Sequence, residues 1–244
     1  MKTKSTILKT ALILIITGLF LEASAQTDIA VIGDFSNANM SNLNQVICMG
    51  KSVDLTLSNT DAGTDYVWLT RHKSTDGVTA LAGDNLPANT GTLVDPASNL
   101  TTAGYYIYKL KATNTTTGCS EIFEQLVYVL PTPIVTVTNT GDLAACTNVS
   151  EDMVFTASNA SGTGVTQTFA VNYQWFSKKS TDPEVSLGNT TNTYTVSTGT
   201  TVGSLDYYVK ATYKIKDCGA TESNKKTVVI TAAPGRPTIG IASN

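Results

Sequence analysis

An internal duplication constrains this chain more than any other feature. Tyr66-Val67-Trp68 is echoed by Tyr173-Gln174-Trp175, and Lys73-Ser74-Thr75-Asp76 by Lys179-Ser180-Thr181-Asp182. Leu55-Thr56-Leu57-Ser58-Asn59 recurs as Phe155-Thr156-Ala157-Ser158-Asn159. Cys48 and Cys119 stand 71 residues apart, and Cys146 and Cys218 stand 72 apart. Two copies of one module follow each other. Such tandems are arrays of interaction or spacer units more often than single catalytic globules.

Residues 1–25 read as a signal peptide. Lys2, Lys4 and Lys9 form a basic stretch, and Ala11 to Leu21 is apolar but shorter than the roughly 20 residues a membrane helix needs. Ala23-Ser24-Ala25 supplies small residues for cleavage, which makes Gln26 the expected mature N-terminus. No cysteine follows the apolar stretch directly, which argues against a lipid anchor, and no membrane insertion is expected after cleavage. Cleavage takes away three lysines and one glutamate, so the formal charge of −3 becomes −5. Arg71 and Arg236 are the only arginines. Nucleic acid, which needs clustered cations to displace its counterions, is a disfavoured partner.

All four cysteines follow the signal, so export to an oxidising compartment predicts disulfides. Of three possible connectivities, the near-equal spacing selects Cys48–Cys119 and Cys146–Cys218. Each bridge would close a loop of about 70 residues, worth about 4 kcal/mol in the chain-entropy model. No metal or cofactor is expected. His72 is the only histidine and no ligand pair is closely spaced, which disfavours zinc. Asp61, Asp65, Asp76 and Asp84 fit no calcium loop, and the second copy does not repeat them.

Short alternating strands separated by Gly, Asn, Asp and Thr turns fill the mature chain, and no stretch shows a 3.6-residue apolar period. Inward rows run Val53, Leu55, Leu57, then Tyr66, Trp68, then Tyr106, Tyr108, Leu110, Ala112. The second copy offers Met153, Phe155, Ala157, then Tyr173, Trp175, then Tyr207, Val209, Ala211, Tyr213. The pattern predicts an all-β chain of two β-sandwiches, over 26–130 and 131–232. Trp68, Trp175, Tyr106 and Tyr207 are expected in their cores. Leu130-Pro131-Thr132-Pro133 reads as a short stiff linker that sets the modules end to end.

A Cys, then a Tyr-x-Trp strand, then Gly104-Tyr105-Tyr106 or Asp206-Tyr207-Tyr208, then Gly118-Cys119 or Asp217-Cys218, resembles immunoglobulin-like domains. More narrowly, the order is similar to the Ig-like and PKD-like modules of secreted and cell-surface proteins of Bacteroidota. The second Cys departs from the antibody pattern, falling well after the tyrosine-rich strand, so the bridges should tie sandwich poles instead of pinning sheets beside Trp. The resemblance implies adhesion, display or spacing at a cell surface, against a protein or glycan partner, and no catalytic residues. It makes the chain a secreted, non-enzymatic adhesion, surface-filament or scaffold component. The alternative is a carbohydrate-binding accessory module of a polysaccharide-degrading system.

Individual residues weigh against an enzyme. Every Ser-His-Asp scheme must use His72, which follows a core strand and is expected exposed at its end. The two Lys-Ser-Thr-Asp segments read as turns whose side chains satisfy local backbone groups. Alternation sends Tyr105 and Tyr208 outward, which makes them the candidates for exposed ligand contacts. Residues 233–244 resemble the first strand of a further repeat. Pro237-Thr238-Ile239-Gly240-Ile241 follows Pro133-Ile134-Val135-Thr136-Val137, and Ile29-Ala30-Val31-Ile32-Gly33-Asp34 is a looser third copy. Residues 234–244 are therefore a candidate for self-assembly by strand donation. The protein recovered outside producing cells should begin at Gln26. An intact mass lower by residues 1–25 is the expected result, and a retained leader would refute the cleavage site.

Overall fold

A computed structural model describes residues 28–35, 43–58, 60–89, 91–147, 152–160, 162, 165–197 and 202–237. Residues 1–25, read from the sequence as a signal peptide, and residues 238–244 lie outside them. The first sandwich contains β1 (Leu43–Cys48), β2 (Val53–Leu55), β3 (Thr64–Ser74), β4 (Gly83–Asn89), β5 (Leu93–Asp95), β6 (Gly104–Asn114) and β7 (Ser120–Leu130). Its large sheet has the order β1-β7-β6-β3-β4, faced by the pair β2-β5. The second contains β8 (Ile134–Thr140), β9 (Ala144–Cys146), β10 (Asp152–Ala160), β11 (Val171–Lys178), β12 (Val185–Ser186), β13 (Thr193–Ser197), β14 (Gly203–Tyr213), β15 (Thr221–Glu222) and β16 (Lys226–Thr231). Its sheets run β13-β10-β8 and β12-β11-β14-β16-β9.

The duplication is visible strand by strand. In both modules an early strand lies parallel to the last one, β1 on β7 and β9 on β16, while the other pairings are antiparallel. Trp68 pairs with Leu110 and Trp175 with Val209 at matching places. Trp68 is 4% exposed and Trp175 fully buried. Each indole N–H donates to a backbone carbonyl of the opposite loop, Gly91 or Thr191, at 2.9 Å. Such pairing satisfies the one polar atom a buried indole carries. Tyr106, also buried, donates its hydroxyl to Thr102 O at 2.8 Å, the corner that immunoglobulin-type sandwiches place at the start of this strand. Tyr207 packs with Phe155 and Tyr194 around Trp175. The chain is all-β, two tandem immunoglobulin-like sandwiches.

The cysteines correct the expected bridges. The structure joins Cys48 to Cys218, with Cys119 and Cys146 free. Strand register explains why. Cys48 pairs with Leu130 at one end of β7, while Cys119 precedes Ser120 at the other. An 11-residue strand separates them by roughly 35 Å, and a disulfide tolerates about 7 Å between Cα atoms. Cys146 and Cys218 likewise sit at opposite poles, Cys146 beside Thr231 and Cys218 in the turn before β15. Matched spacing marks equivalent positions in the repeat, not neighbours. Cys48 and Cys218 occupy the two poles that face each other.

The modules also meet more closely than the linker suggests. The outer face of β6 and β7, with Tyr105, Ile107, Leu126 and Tyr128, joins one core cluster with Phe169 and Tyr213 of the second sandwich. Phe35 from the N-terminal segment wedges between them, 5.2 Å from the Tyr128 ring and 6.2 Å from Phe169. Tyr105 and Tyr128 meet edge-on at 4.6 Å. Gln167 accepts from the Tyr128 hydroxyl and donates to that of Tyr105. Ile29 pairs with Phe169 through Ile29 N to Thr168 O and Ala170 N to Ile29 O. Pro131 is buried at the joint, and a Cβ added at Gly162 would lie 2.1 Å from its ring. The expected end-to-end arrangement is replaced by a pole of the second sandwich seated on a sheet face of the first.

Two outcomes test this joint. Peptide mapping without reduction should recover Cys48 linked to Cys218, and a Cys48–Cys119 peptide would overturn the pairing. Closing a loop with a sequence separation of 170 is worth about 5 kcal/mol in the chain-entropy model, so reduction should lower the denaturation midpoint sharply. Burial pushes the Tyr105 phenol up to about 12, helped by Asp76 and opposed by Gln167, and burial raises Tyr213 to about 12. The folded state thus prefers neutral phenols. That contribution is complete below the unfolded phenol pKa of about 10 and is lost as pH rises through the folded values. Stability should fall between about pH 10 and 12. The double variant Tyr105→Phe, Tyr213→Phe should show a shallower fall, and an unchanged slope would refute the assignment.

Candidate functional site: an uncovered strand position in the first sandwich

The two sandwiches differ in how their small sheets are built. In the second, β10 pairs with β8 on one side and β13 on the other over seven and five residues. In the first, β2 and β5 are three residues each. Ser58, Thr60, Asp61 and Gly63 turn the chain away after Leu57, and Pro96 opens a 3-10 turn after β5. Among the described residues β2 has β5 as its only strand partner. The segment expected to run beside it, Ile29–Asp34, is seated instead against Phe169 and closes in a 3-10 turn at Ile32–Asp34.

The opposing strands β3, β6 and β7 are 11 residues long, so part of their inner face lies uncovered. Strand β7 is buried from Leu126 to Leu130 and exposed from Ser120 to Glu124. Phe123 pairs with Leu110 on the inner side yet is 47% exposed. Two cavities of about 570 and 390 Å³ share Leu57, Ser58, Leu110 and Phe123 and together form a groove. One wall is Asp54 to Ser58; the other is Phe123 to Gln125. Asp54, Asp61, Glu121 and Glu124 line it, and no lysine or arginine does. Gln45 Oε1 is buried at its edge and accepts no hydrogen bond.

Tyr105 and Tyr208, expected to face outward as ligand contacts, are 4% and 1% exposed. Both do leave the inner core of their own sandwich, but each outer face is covered. Tyr105 lies under the second sandwich. Tyr208 stacks on Phe176, lies beneath Lys225, and donates its hydroxyl to Glu184, which Lys210 also holds. Burial and Glu184 raise the Tyr208 phenol, while Lys210 first and Tyr208 second lower the Glu184 carboxyl.

The other candidates serve the fold. His72 lies between Thr70 Oγ1 and Leu81 O, 2.8 Å from each, with its ring against Gly83. Asp76 accepts from Val78 N and Thr79 N, and Gly77 N donates to Ser74 Oγ. The Thr79 and Val78 N–H groups hold the Asp76 carboxyl far below its ordinary range. Among the described residues no group of three or more His, Cys, Asp or Glu is placed to hold a metal. One cluster carried no sequence signal beyond the rarity of arginine. Buried Arg71 donates twice to buried Asp95 at 2.9 Å and also pairs with Asp84. Asp95 accepts further from Tyr108 and Asn99 at 2.7 Å. Burial disfavours the Arg71 charge, but Asp95 and Asp84 outweigh it and raise the pKa. Because β3 and β5 belong to opposite sheets, this ion pair ties them together.

No family model matches the chain, and no curated protein does. Similar solved structures include fibronectin(III)-like modules of Clostridium thermocellum CbhA, at 15% identity over 83% of this chain and 96% of that one, TM-score 0.30. A marsupial T cell receptor matches at 13% identity over 82% and 76%, TM-score 0.42. A set of titin domains matches at 15% over 77% and 62%, TM-score 0.41. Likeness at these levels extends to no ligand or partner.

Proposed function

We propose that the chain is a non-enzymatic structural module of the cell exterior, serving adhesion, a surface filament or an extracellular scaffold. The observation that carries this reading is the joint. Two sandwiches share a core through Phe35, Tyr105, Tyr128, Phe169 and Tyr213, and Cys48–Cys218 staples the same junction. Such a junction makes a stiff spacer that transmits force or sets distance; a hinge would show few buried contacts. The disulfide suits an oxidising compartment, in keeping with export by residues 1–25. The groove of the first sandwich offers strand edge and apolar floor, which suit a protein partner more than a small polar substrate.

Immunogold labelling of intact producing cells should place the protein on the outer surface. A deletion strain should attach less to surfaces or to sister cells. Retention inside the cell, or hydrolysis of polysaccharide or peptide substrates by the purified protein, would overturn the reading. Specific hits on a glycan array would favour the carbohydrate-binding alternative.

A further inference from the structure

The second sandwich shows what fills the strand position that the first leaves uncovered. There β8 lies antiparallel to β10 from Ile134 to Thr140, and its inward Val135 and Val137 are buried. In the first sandwich the same position, beside β2, is the groove between Asp54–Ser58 and Phe123–Gln125. The segment Pro237-Thr238-Ile239-Gly240-Ile241 carries the β8 pattern in register: Pro237 matches Pro133, and Ile239 and Ile241 match Val135 and Val137. It follows β16 as β8 follows β7, after a short proline-containing link, Pro234 preceding Pro237 as Pro131 precedes Pro133.

We infer that copies of this chain join head to tail, residues 237–244 of one copy filling the groove beside β2 of the next. The inference rests on the surface-scaffold reading and names its partner: a second copy. The inserted strand would run antiparallel to β2. Ile239 and Ile241 would cover Leu57, Leu110 and Phe123, and the strand's N–H and C=O groups would pair with the edge of β2 that carries no strand among the described residues. Arg236, just before the strand, meets a rim that carries Asp54, Asp61, Glu121 and Glu124. A donated N–H is also what the unpaired Gln45 Oε1 lacks. The contact is heterologous, so it propagates instead of closing on itself as a two-fold dimer does.

The free cysteines carry the same relation independently. Cys48 and Cys146 are equivalent, each ending the strand parallel to the last one. Cys119 and Cys218 are equivalent, each in the turn that follows the long tyrosine-rich strand, β6 or β14. The internal joint bonds the first kind in one module to the second kind in the following module. Left over are Cys146 in the trailing module and exposed Cys119, which lines the groove of the leading one. Head-to-tail addition therefore brings Cys146 of one copy toward Cys119 of the next. Bonding is thiol–disulfide exchange: each sulfur loses a proton, and two electrons reduce an oxidant disulfide to two thiols. The aromatic face of the internal joint is not copied outside, since Ser204 and Val229 stand where Tyr105 and Tyr128 do, so the strand must hold the copies together.

The test uses mature chain from Gln26, concentrated with oxidised and reduced glutathione, then resolved without reduction. The expected result is a ladder of multimers whose linking peptide joins Cys119 to Cys146. Deleting residues 236–244 should abolish the ladder while Cys48–Cys218 and the β-sheet circular dichroism persist. A synthetic peptide of residues 234–244 should bind the truncated chain one to one and block assembly of the full chain. The same peptide with Ile239→Asp and Ile241→Asp should do neither. A chain that stays monomeric, a ladder that survives truncation, or a Cys119–Cys119 link overturns the proposal. A monomeric protein still found on the cell surface would sink this inference and leave the scaffold reading standing.

Discussion

Everything in this molecule depends on the burial of the outer face of β6 and β7 at the junction of the two sandwiches. A sandwich sheet ordinarily gives one face to its core and the other to water. Here Tyr105, Ile107, Leu126 and Tyr128 present a second apolar surface, which the first sandwich cannot cover from within. Phe169, Tyr213 and Phe35 cover it. Burying several aromatic side chains at about 25 cal/mol per Å² outweighs the cost of ordering a short two-proline linker. Cys48 and Cys218 are close because this packing sets their poles against each other. The disulfide then restricts the unfolded chain and reinforces a junction already specified by shape.

The same packing accounts for β2 having only β5 beside it among the described residues. Residues 28–35, which contain the looser copy of the β8 opening, are drawn to the joint, where Ile29 pairs with Phe169 and Phe35 enters the aromatic cluster. One segment cannot serve both places. The second sandwich has no such conflict: β8 follows the linker directly and is pinned to its own module by Asn224, whose side-chain amide exchanges two hydrogen bonds with the Val137 backbone. A stiff junction and an open edge are thus two consequences of one use of the N-terminal segment.

Much of each sandwich was legible in the residues because alternation with period two is a local signal. Trp68, Trp175, Tyr106 and Tyr207 lie buried on the rows that carry them. Alternation assigns a face, however, and does not say what covers it. Tyr105 and Tyr208 do face away from their own cores, yet both are buried, one by the neighbouring module and the other by Phe176, Glu184 and Lys225. The unbroken apolar run Leu126-Val127-Tyr128-Val129-Leu130 was the available warning, since strands covered on both faces lose their alternation. The cysteines misled for a related reason. A repeat reveals which residues are equivalent, Cys48 with Cys146 and Cys119 with Cys218, and does not make the two cysteines of one module neighbours; the length of a strand holds those apart. The Arg71–Asp95 pair was hidden because it joins positions 24 residues apart on opposite sheets, a contact that only the closed sandwich creates.

That ion pair also bears on why the first sandwich tolerates so small a second sheet. With β2 and β5 only three residues each, few ladder hydrogen bonds and few side chains hold that sheet in place. Asp95 compensates from the end of β5, accepting from Arg71, Tyr108 and Asn99. Buried charge contributes little net stability when compared with an apolar substitute, but removing one partner leaves the other stranded at a cost of about 3–5 kcal/mol. Its value here is positional. It locks the two sheets at one end of the sandwich, so the other end can stay open around Leu57, Leu110 and Phe123 without the module collapsing on itself. A groove floored by Leu57, Leu110 and Phe123 is thus held open by a polar lock on the opposite side of the small sheet.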